Sequence, residues 1–329
     1  MIYMESPSKD PAFNLALEQY MFEQKDRSDD FFMFWQNENS VIVGKNQNTI
    51  EEVNRRYVEE KGIHVVRRLS GGGAVYHDLG NLNFTFIVDG QGEEDMNLKR
   101  FIRLVAEALQ KLGIKAGISG RNDILIDGMK FSGNAQYMKN DRIMHHGTLM
   151  FNSDLEELSK ALRVSEDKIK SKGIKSIKSG VTNIADHLPE AMTLAEFKEH
   201  LLKSLFSDTV LSYYKLTAGD ETRIRELRQN RYATWEWNYG FSPAYEIRKQ
   251  RYFANCGDIQ IHMNVANGRI EDFAVFGSYF GNRNTKELGN LLMGRNLNRQ
   301  DIERALCGVQ IADYFNGLAK QELIDMIII

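Results

Sequence analysis

Cysteine is scarce: Cys256 and Cys307 are the only two in 329 residues. Two thiols make neither a disulfide framework nor a metal site on their own, which suits a reducing cytosol. Proline is scarcer still for this length, with four, and no stretch approaches the roughly 18 consecutive apolar residues that span a bilayer. The N-terminus, Met1-Ile2-Tyr3-Met4-Glu5-Ser6, lacks a basic segment followed by an apolar run, so a cytoplasmic protein with no membrane attachment is expected. An excess of positive charge is also missing, with 42 Lys and Arg against 45 Asp and Glu. A formal net charge of -3 argues against a protein that binds nucleic acid by neutralising phosphates. What is present, 42% hydrophobic and 26% charged residues, is the composition of an ordinary globular protein. The length favours one large domain plus a smaller one.

Asp10-Pro11 followed by Phe13, Leu17, Tyr20 and Met21 predicts a capped helix lying on the core. Phe31 to Trp35, Val41 to Val43, His64 to Arg68 and Asn83 to Val88 read as strands. Ile50, Val53, Tyr57 and Val58 have helical spacing that ends at Gly62, and a periodic helix runs from Leu98 to Leu112 before Gly113. Asp127-Gly128 and Lys139-Asn140-Asp141 are turn signals that make a meander of the strands between Ile124 and Phe151. From Asp154 to Leu211 the pattern is mainly helical, broken by a lysine-rich loop, Lys172 to Lys178. After Phe241-Ser242-Pro243 it changes again, with a hairpin at Asn267-Gly268 and then helices. The domain boundary is placed near Tyr245, giving residues 1–245 and 246–329.

Several segments carry chemistry, each with a plainer alternative. Arg67-Arg68-Leu69-Ser70-Gly71-Gly72-Gly73-Ala74-Val75 joins two arginines to three glycines. Without Cβ atoms such a backbone approaches a ligand closely and turns its N–H groups to an anion, although a bare triple glycine is as often a flexible turn. It is neither a dinucleotide fingerprint nor a P-loop. Gly120-Arg121-Asn122-Asp123 suits magnesium and a ribose or base, or is an ordinary turn pair. Lys130 lies on a strand beside small residues, where it meets an anionic group or merely marks a solvated edge. Of His145 and His146 only one can serve a given site, because neighbours on a strand point to opposite faces, so a metal centre is not expected there. His77-Asp78 leaves the same choice open between site and scaffold. Three lysines between 172 and 178 either cover an anionic substrate or form a solvated charge run. Trp235-Glu236-Trp237-Asn238 is read as an anchor at the domain junction rather than a binding element.

Taken in register, the glycine segment through His77-Asp78, Gly120 to Asp123, Lys130-Phe131-Ser132-Gly133-Asn134-Ala135, His145-His146-Gly147-Thr148-Leu149 and Trp235 to Asn238 resemble the lipoate-protein ligase A family over nearly the whole chain. The resemblance implies an α+β fold: a large catalytic domain of mixed β-sheet flanked by helices, like biotin protein ligase and class II tRNA synthetase cores, with a small C-terminal α+β accessory domain. It implies an ATP-dependent ligase that converts lipoate to lipoyl-AMP with release of pyrophosphate. The lipoyl group then passes to a lysine of apo lipoyl domains, those of 2-oxo acid dehydrogenase acyltransferase subunits or the glycine-cleavage H protein. By the same resemblance Lys130 is catalytic, pairing with the carboxylate and then with adenylate oxygens. Arg68, Ser70, Gly73, Ala74, Val75, Asn81, Asn122, Asp123, Ala135, His146 and Thr148 bind substrate or adenylate, and Asp123 takes Mg2+. Apolar residues should line a channel for the lipoyl tail, and the protein is expected to act as a monomer.

One departure stands out. The family tends to carry arginines before Val181-Thr182-Asn183, where this chain has Lys178 and Gly180; lysine lacks bidentate geometry and glycine lacks charge altogether. Three rivals remain: a lipoyl or octanoyl transferase of the same fold, a biotin ligase, against which the Arg-Arg-x-Ser-Gly-Gly-Gly loop and the C-terminal domain argue, and a non-catalytic lipoyl-adenylate-binding protein. A transferase working through a thioester needs a reactive cysteine in the catalytic domain, and none precedes Cys256.

Overall fold

Asp10 opens the first helix as its sequence demands, its carboxylate accepting hydrogen bonds from the amides of Ala12 and Phe13 with Pro11 in the first helical turn. The computed structural model describes residues 1–25, 28–90, 98–120, 122–162, 180–207, 210–242, 245–279 and 281–328. Arg121, the lysine loop from Lys172 to Lys178 and Pro243 lie outside the described residues. The chain divides into two compact units, Met1–Thr234 and Trp235–Ile329.

In chain order the first unit contains β1 (Ile2–Glu5), α1 (Pro11–Gln24), β2 (Phe31–Trp35), β3 (Ser40–Val43), α2 (Thr49–Glu52), α3 (Arg55–Lys61), β4 (His64–Arg67), β5 (Val75–His77) and β6 (Asn81–Asp89). There follow α4 (Leu98–Lys111), β7 (Gly117–Ser119), β8 (Asp123–Ile126), β9 (Met129–Lys139), β10 (Arg142–Met150), α5 (Leu155–Ala161), α6 (Leu194–Leu205), β11 (Ser212–Tyr213) and α7 (Ala218–Leu227). Eight strands form one mixed sheet in the order β11-β1-β2-β6-β10-β9-β8-β7, and β4-β3-β5 form a second. The meander is as the turn residues require: Asp127 and Gly128, then Asn140 and Asp141, all take positive φ, the conformation of tight hairpin turns.

Alternation along β6 separates two faces of the large sheet. Leu82, Phe84 and Phe86 join Phe101, Ile102, Val105 and Leu109 of α4 in the main core. Asn81, Asn83 and Thr85 occupy the other face, also fully buried. α1 is buried on every side from Pro11 to Phe22, so it is an interior helix and not the one-faced element its spacing suggests. The segment expected as one helix from Ile50 to Val58 is two. Val53 is extended and bridges to Leu162, and the Asn54 side chain accepts from the Tyr57 amide, starting α3 afresh.

The second unit holds an antiparallel sheet of β12 (Tyr245–Phe253), β13 (Gly257–Ala266) and β14 (Arg269–Tyr279), with α8 (Lys286–Leu292), α9 (Arg299–Ala305) and α10 (Lys320–Ile328). Its Asn267-Gly268 hairpin forms as expected, with φ of 49° and 71°. Trp235 begins this unit and stacks on Tyr239 at 6.1 Å between ring centroids.

Candidate active site

Strand register alone lays out a trough on the polar face of the large sheet. Trp35 of β2 is paired with Asn83 of β6, and Asn83 with Thr148 of β10. The Thr148 hydroxyl in turn accepts from the Gly133 amide of β9 at 3.1 Å. The neighbouring row runs Met33, Thr85, His146, Ala135. From β2 to β9 is three inter-strand steps, about 14 Å, comparable to an extended acyl chain. The pocket over this face is lined by Trp35, Leu15 and Ile42 together with Asn83 and His77. Its lining also includes Arg68, Gly73, Ala74 and Val75 of the glycine segment, and Asn122, Lys130, Ala135, His146 and Thr148.

Lys130 reaches this face only because of a β-bulge. Counting back from Ala135 by strict alternation puts Lys130 on the core side. The β8–β9 register instead runs Asp123↔Gly133, Ile124↔Ser132, Leu125↔Lys130, leaving Phe131 as an extra residue. Phe131 turns into the core, with no exposure, and Lys130 is re-aimed into the pocket. Its Nζ sits 3.1 Å from where a Cβ on Gly133 would lie, so a side chain there would evict it. The ammonium pairs with the Asp123 carboxylate at 2.8 Å. Gly180 and Thr182 bond to the Lys130 backbone, fixing the strand from the other side.

The glycine segment is held from inside. Arg67, fully buried, donates to the carbonyls of Gly44, Lys45 and Gln47 and to the Thr49 hydroxyl. It is scaffold, and of the two arginines only Arg68 lines the pocket. Four of its N–H groups nonetheless serve the protein: Nε donates to Ser70 Oγ, and the others to the carbonyls of Ile42, Gly71 and Gly73. Burial lowers the pKa of both guanidinium groups to about 10, which leaves them charged at neutral pH. Gly72 takes φ of 93°, a conformation open to glycine. Gly44 lies so close beneath it that a Cβ would stand 2.0 Å from the Gly72 carbonyl oxygen.

Behind His146 runs a hydrogen-bonded chain whose direction is set at the Trp35 end. The Trp35 indole donates to Thr85 Oγ1 at 2.8 Å, so the Thr85 hydroxyl must donate onward to Glu18 Oε1, 2.5 Å away. Glu18 also accepts from His146 Nδ1 at 3.0 Å, and Ser70 Oγ lies 2.6 Å from His146 Nε2. Arg68 Nε also donates to Ser70 Oγ. The carboxylate holds a proton on His146 Nδ1, since it can only accept. Sequence reading missed Glu18. The signal was a carboxylate set among apolar residues of α1, where a satisfied buried partner is the usual explanation.

His145 goes to the opposite face, stacked on Phe101 at 4.9 Å, as alternation requires. Burial lowers its pKa to about 3. Three expected site residues, Ser70, Asn81 and Asp123, do not line the pocket. Each stands one contact behind a residue that does: Ser70 behind Arg68 and His146, Asn81 behind Asn83, Asp123 behind Lys130. No cluster of three or more His, Cys, Asp or Glu side chains suited to a metal occurs among the described residues. Asp123 offers a single carboxylate, a donor set that suits an ion held mainly by waters and phosphates rather than a protein cage.

A cation at one end of an acyl-length trough, with a glycine loop beside it, defines a domain built to hold a chain-bearing carboxylate. Residues 10–206 match the lipoyl protein ligase A/B catalytic domain, and residues 242–327 match the bacterial lipoate protein ligase C-terminus. The chain belongs to the lipoyl protein ligase A/B family. It is 46% identical to the lipoate-protein ligase LplJ of Bacillus subtilis over 99% of this chain and all of that protein. It is 45% identical to lipoate–protein ligase 1 of Staphylococcus aureus, over 96% of each. Among solved structures it is similar to the bipartite lipoate protein ligase of Thermoplasma acidophilum, described with its E2 lipoyl domain. That match has a TM-score of 0.64 and 29% identity, covering 73% of this chain and 96% of that one. It is similar also to a lipoate-protein ligase A bound with ATP, with a TM-score of 0.62 and 28% identity, covering 73% of this chain and 98% of that one.

Proposed function

We propose that the protein is an ATP-dependent lipoate-protein ligase, activating lipoate as lipoyl-AMP and transferring the lipoyl group to a lysine of an apo lipoyl domain. The observation that carries this reading is the trough. Its apolar side chains, Leu15, Trp35 and Ile42, suit an acyl tail, and Lys130 stands over Gly133 across the sheet. A carboxylate drawn to that ammonium lies beside the glycine loop, where backbone amides stabilise the charge that develops at phosphorus. The carboxylate oxygen attacks the α-phosphorus of ATP and pyrophosphate departs; the acceptor amine then attacks the acyl carbon and AMP departs. In this assignment Lys130 is the catalytic cation. Arg68, Ser70, Asn81, Ala135, His146 and Thr148 shape and orient the pocket, and Gly73 to Val75 with Asn122 and Asp123 serve the nucleotide. Mg2+ on Asp123 and the phosphates would offset their charge.

The acceptors we assign are 2-oxo acid dehydrogenase acyltransferase subunits and the glycine-cleavage H protein, modified by a monomer in the cytoplasm. No helix among the described residues is long and apolar enough to cross a membrane. We assign residues 1–245 to catalysis and 246–329 to an accessory role. A thioester-forming transferase is disfavoured because no cysteine lines the pocket and both lie in the second unit, at 256 and 307. The test is incubation with lipoate, Mg-ATP and an apo lipoyl domain. Pyrophosphate release with a lipoyl mass shift is expected; absence of both refutes the ligase reading.

A further inference from the structure

The apolar part of the trough is not wholly apolar. His77, at the end of β5, and Asn83, on β6, line it alongside Leu15, Trp35 and Ile42, and they are 2% and 1% exposed. The hydrogen-bonding role of His77 follows from its neighbours. Asn14 Nδ2 donates to the backbone carbonyls of Ser8 and Gln36, which fixes that amide, and it also meets Asn37 Oδ1 at 2.8 Å. The other end of the Asn37 amide, Nδ2, therefore donates to His77 Nδ1 at 3.1 Å. With Nδ1 occupied as an acceptor, the neutral ring carries its proton on Nε2. Burial, with Arg68 and His146 nearby, keeps the ring neutral by lowering its pKa to about 3.

His77 Nε2 is buried and has no hydrogen-bond partner among the described residues. Asn83 repeats the situation: its Oδ1 accepts from Asn81 Nδ2 at 2.9 Å, while its own Nδ2 is buried with no partner among them. Folded proteins rarely leave one such donor unmatched, and two on residues lining one pocket call for an acceptor. Asn83, on β6, lies two strands from the β9 lysine, and Trp35 of β2 faces it one strand further out, on the side where an acyl tail ends.

We propose that His77 Nε2–H and Asn83 Nδ2–H recognise the ring sulfurs of the dithiolane, and so make the pocket prefer lipoate to a straight-chain acid such as octanoate. This inference rests on the ligase reading. Sulfur lone pairs are weak acceptors, but a terminal methyl group accepts nothing. An all-apolar pocket separates such tails poorly, whereas one holding polar groups penalises the analogue that leaves them unmatched.

The test compares lipoate, octanoate and 5-cyclopentylpentanoate, which keeps the ring shape without sulfur. Binding to the full-length wild-type protein is measured by calorimetry, and ligation by kcat/KM. Wild type should favour lipoate over the cyclopentyl acid by roughly tenfold, the scale of one or two net hydrogen bonds. In Asn83→Leu and His77→Phe the ratio should shrink, with the change carried by KM for lipoate. Equal binding of lipoate and the cyclopentyl acid by wild type overturns the inference and leaves the ligase reading intact; this arm needs no substitution, so it decides the matter even if a variant misfolds. A wild-type protein that ligates none of the three overturns the ligase reading itself.

Discussion

Removing the carboxylate of Glu18 should cost the first unit several kcal/mol although the side chain does not line the pocket. Glu18 is 1% exposed and accepts from the Thr85 hydroxyl and His146 Nδ1. Glu18→Ala strands both donors in the interior, at about 1–3 kcal/mol each. It also takes away a negative charge that favours the charged form of buried Arg68. Against this stands the relief of the carboxylate's own desolvation, so a net loss of about 4 kcal/mol is expected. For a unit of this size that is a fall in Tm on the order of 10 °C. Glu18→Gln separates the causes. Its amide oxygen can still accept from Thr85 and His146, so only the charge is lost, and the cost should be about 1–2 kcal/mol. Thermal unfolding followed by near-UV circular dichroism reads stability, and lipoate-dependent pyrophosphate release reads the site. Both variants should lose activity, alanine far more than glutamine. If Glu18→Ala unfolds within 2 °C of wild type, about 1 kcal/mol or less, the chain from Trp35 to Arg68 does not bear on stability as argued.

Gly44→Ala places a methyl group 2.0 Å from the Gly72 carbonyl oxygen, so the glycine loop must shift. About 1–3 kcal/mol of destabilisation and a marked drop in pyrophosphate release are expected, and normal release would refute the buttressing role. Lys130→Ala should abolish lipoate-dependent pyrophosphate release while changing stability by less than about 1 kcal/mol, because its pair with Asp123 is partly exposed. Near-normal turnover would show that the central cation lies elsewhere. Acid should destabilise the protein through His77 and His145, whose folded pKa values are lowered to about 3. Below pH 6.5 the unfolded chain binds protons that the native state does not, so stability falls as pH drops from about 6.5 to 3, by up to ~1.4 kcal/mol per pH unit for each histidine. Urea midpoints between pH 7 and 4.5 measure the slope, and His145→Phe should remove about half of it. A slope unchanged in that variant would refute the assignment.

Local chemistry made part of this structure legible. Asp10-Pro11 can hardly do other than start a helix, and Asp127-Gly128, Asn140-Asp141 and Asn267-Gly268 are residue types that tolerate the positive φ they adopt. The break at Asn54 was harder to read, because apolar spacing runs smoothly across it and only a capping side chain interrupts the helix. The bulge at Phe131 was not legible at all. It depends on how β9 registers against β8, which no local window contains, and it decides which face Lys130 serves. Motifs do not carry depth: Ser70, Asn81 and Asp123, expected at the site, lie one contact behind the pocket lining. Glu18 escaped because its partners, Thr85 and His146, are 67 and 128 residues away.

The role of Arg68 shows why depth matters. A motif reading aims its guanidinium at an anion, yet its NH2 group binds the carbonyl oxygens of Gly71 and Gly73. A trans peptide points its N–H opposite to its C=O. Drawing those two carbonyls inward therefore turns the amides of Gly72 and Ala74 outward, and both residues line the pocket. The anion-binding groups on this reading are main-chain N–H donors, and the arginine is the clamp that orients them. That also accounts for the buttress at Gly44 and for the Glu18–His146–Ser70 chain that ends on Arg68. Each holds still a loop whose glycines, left to themselves, would sample many conformations.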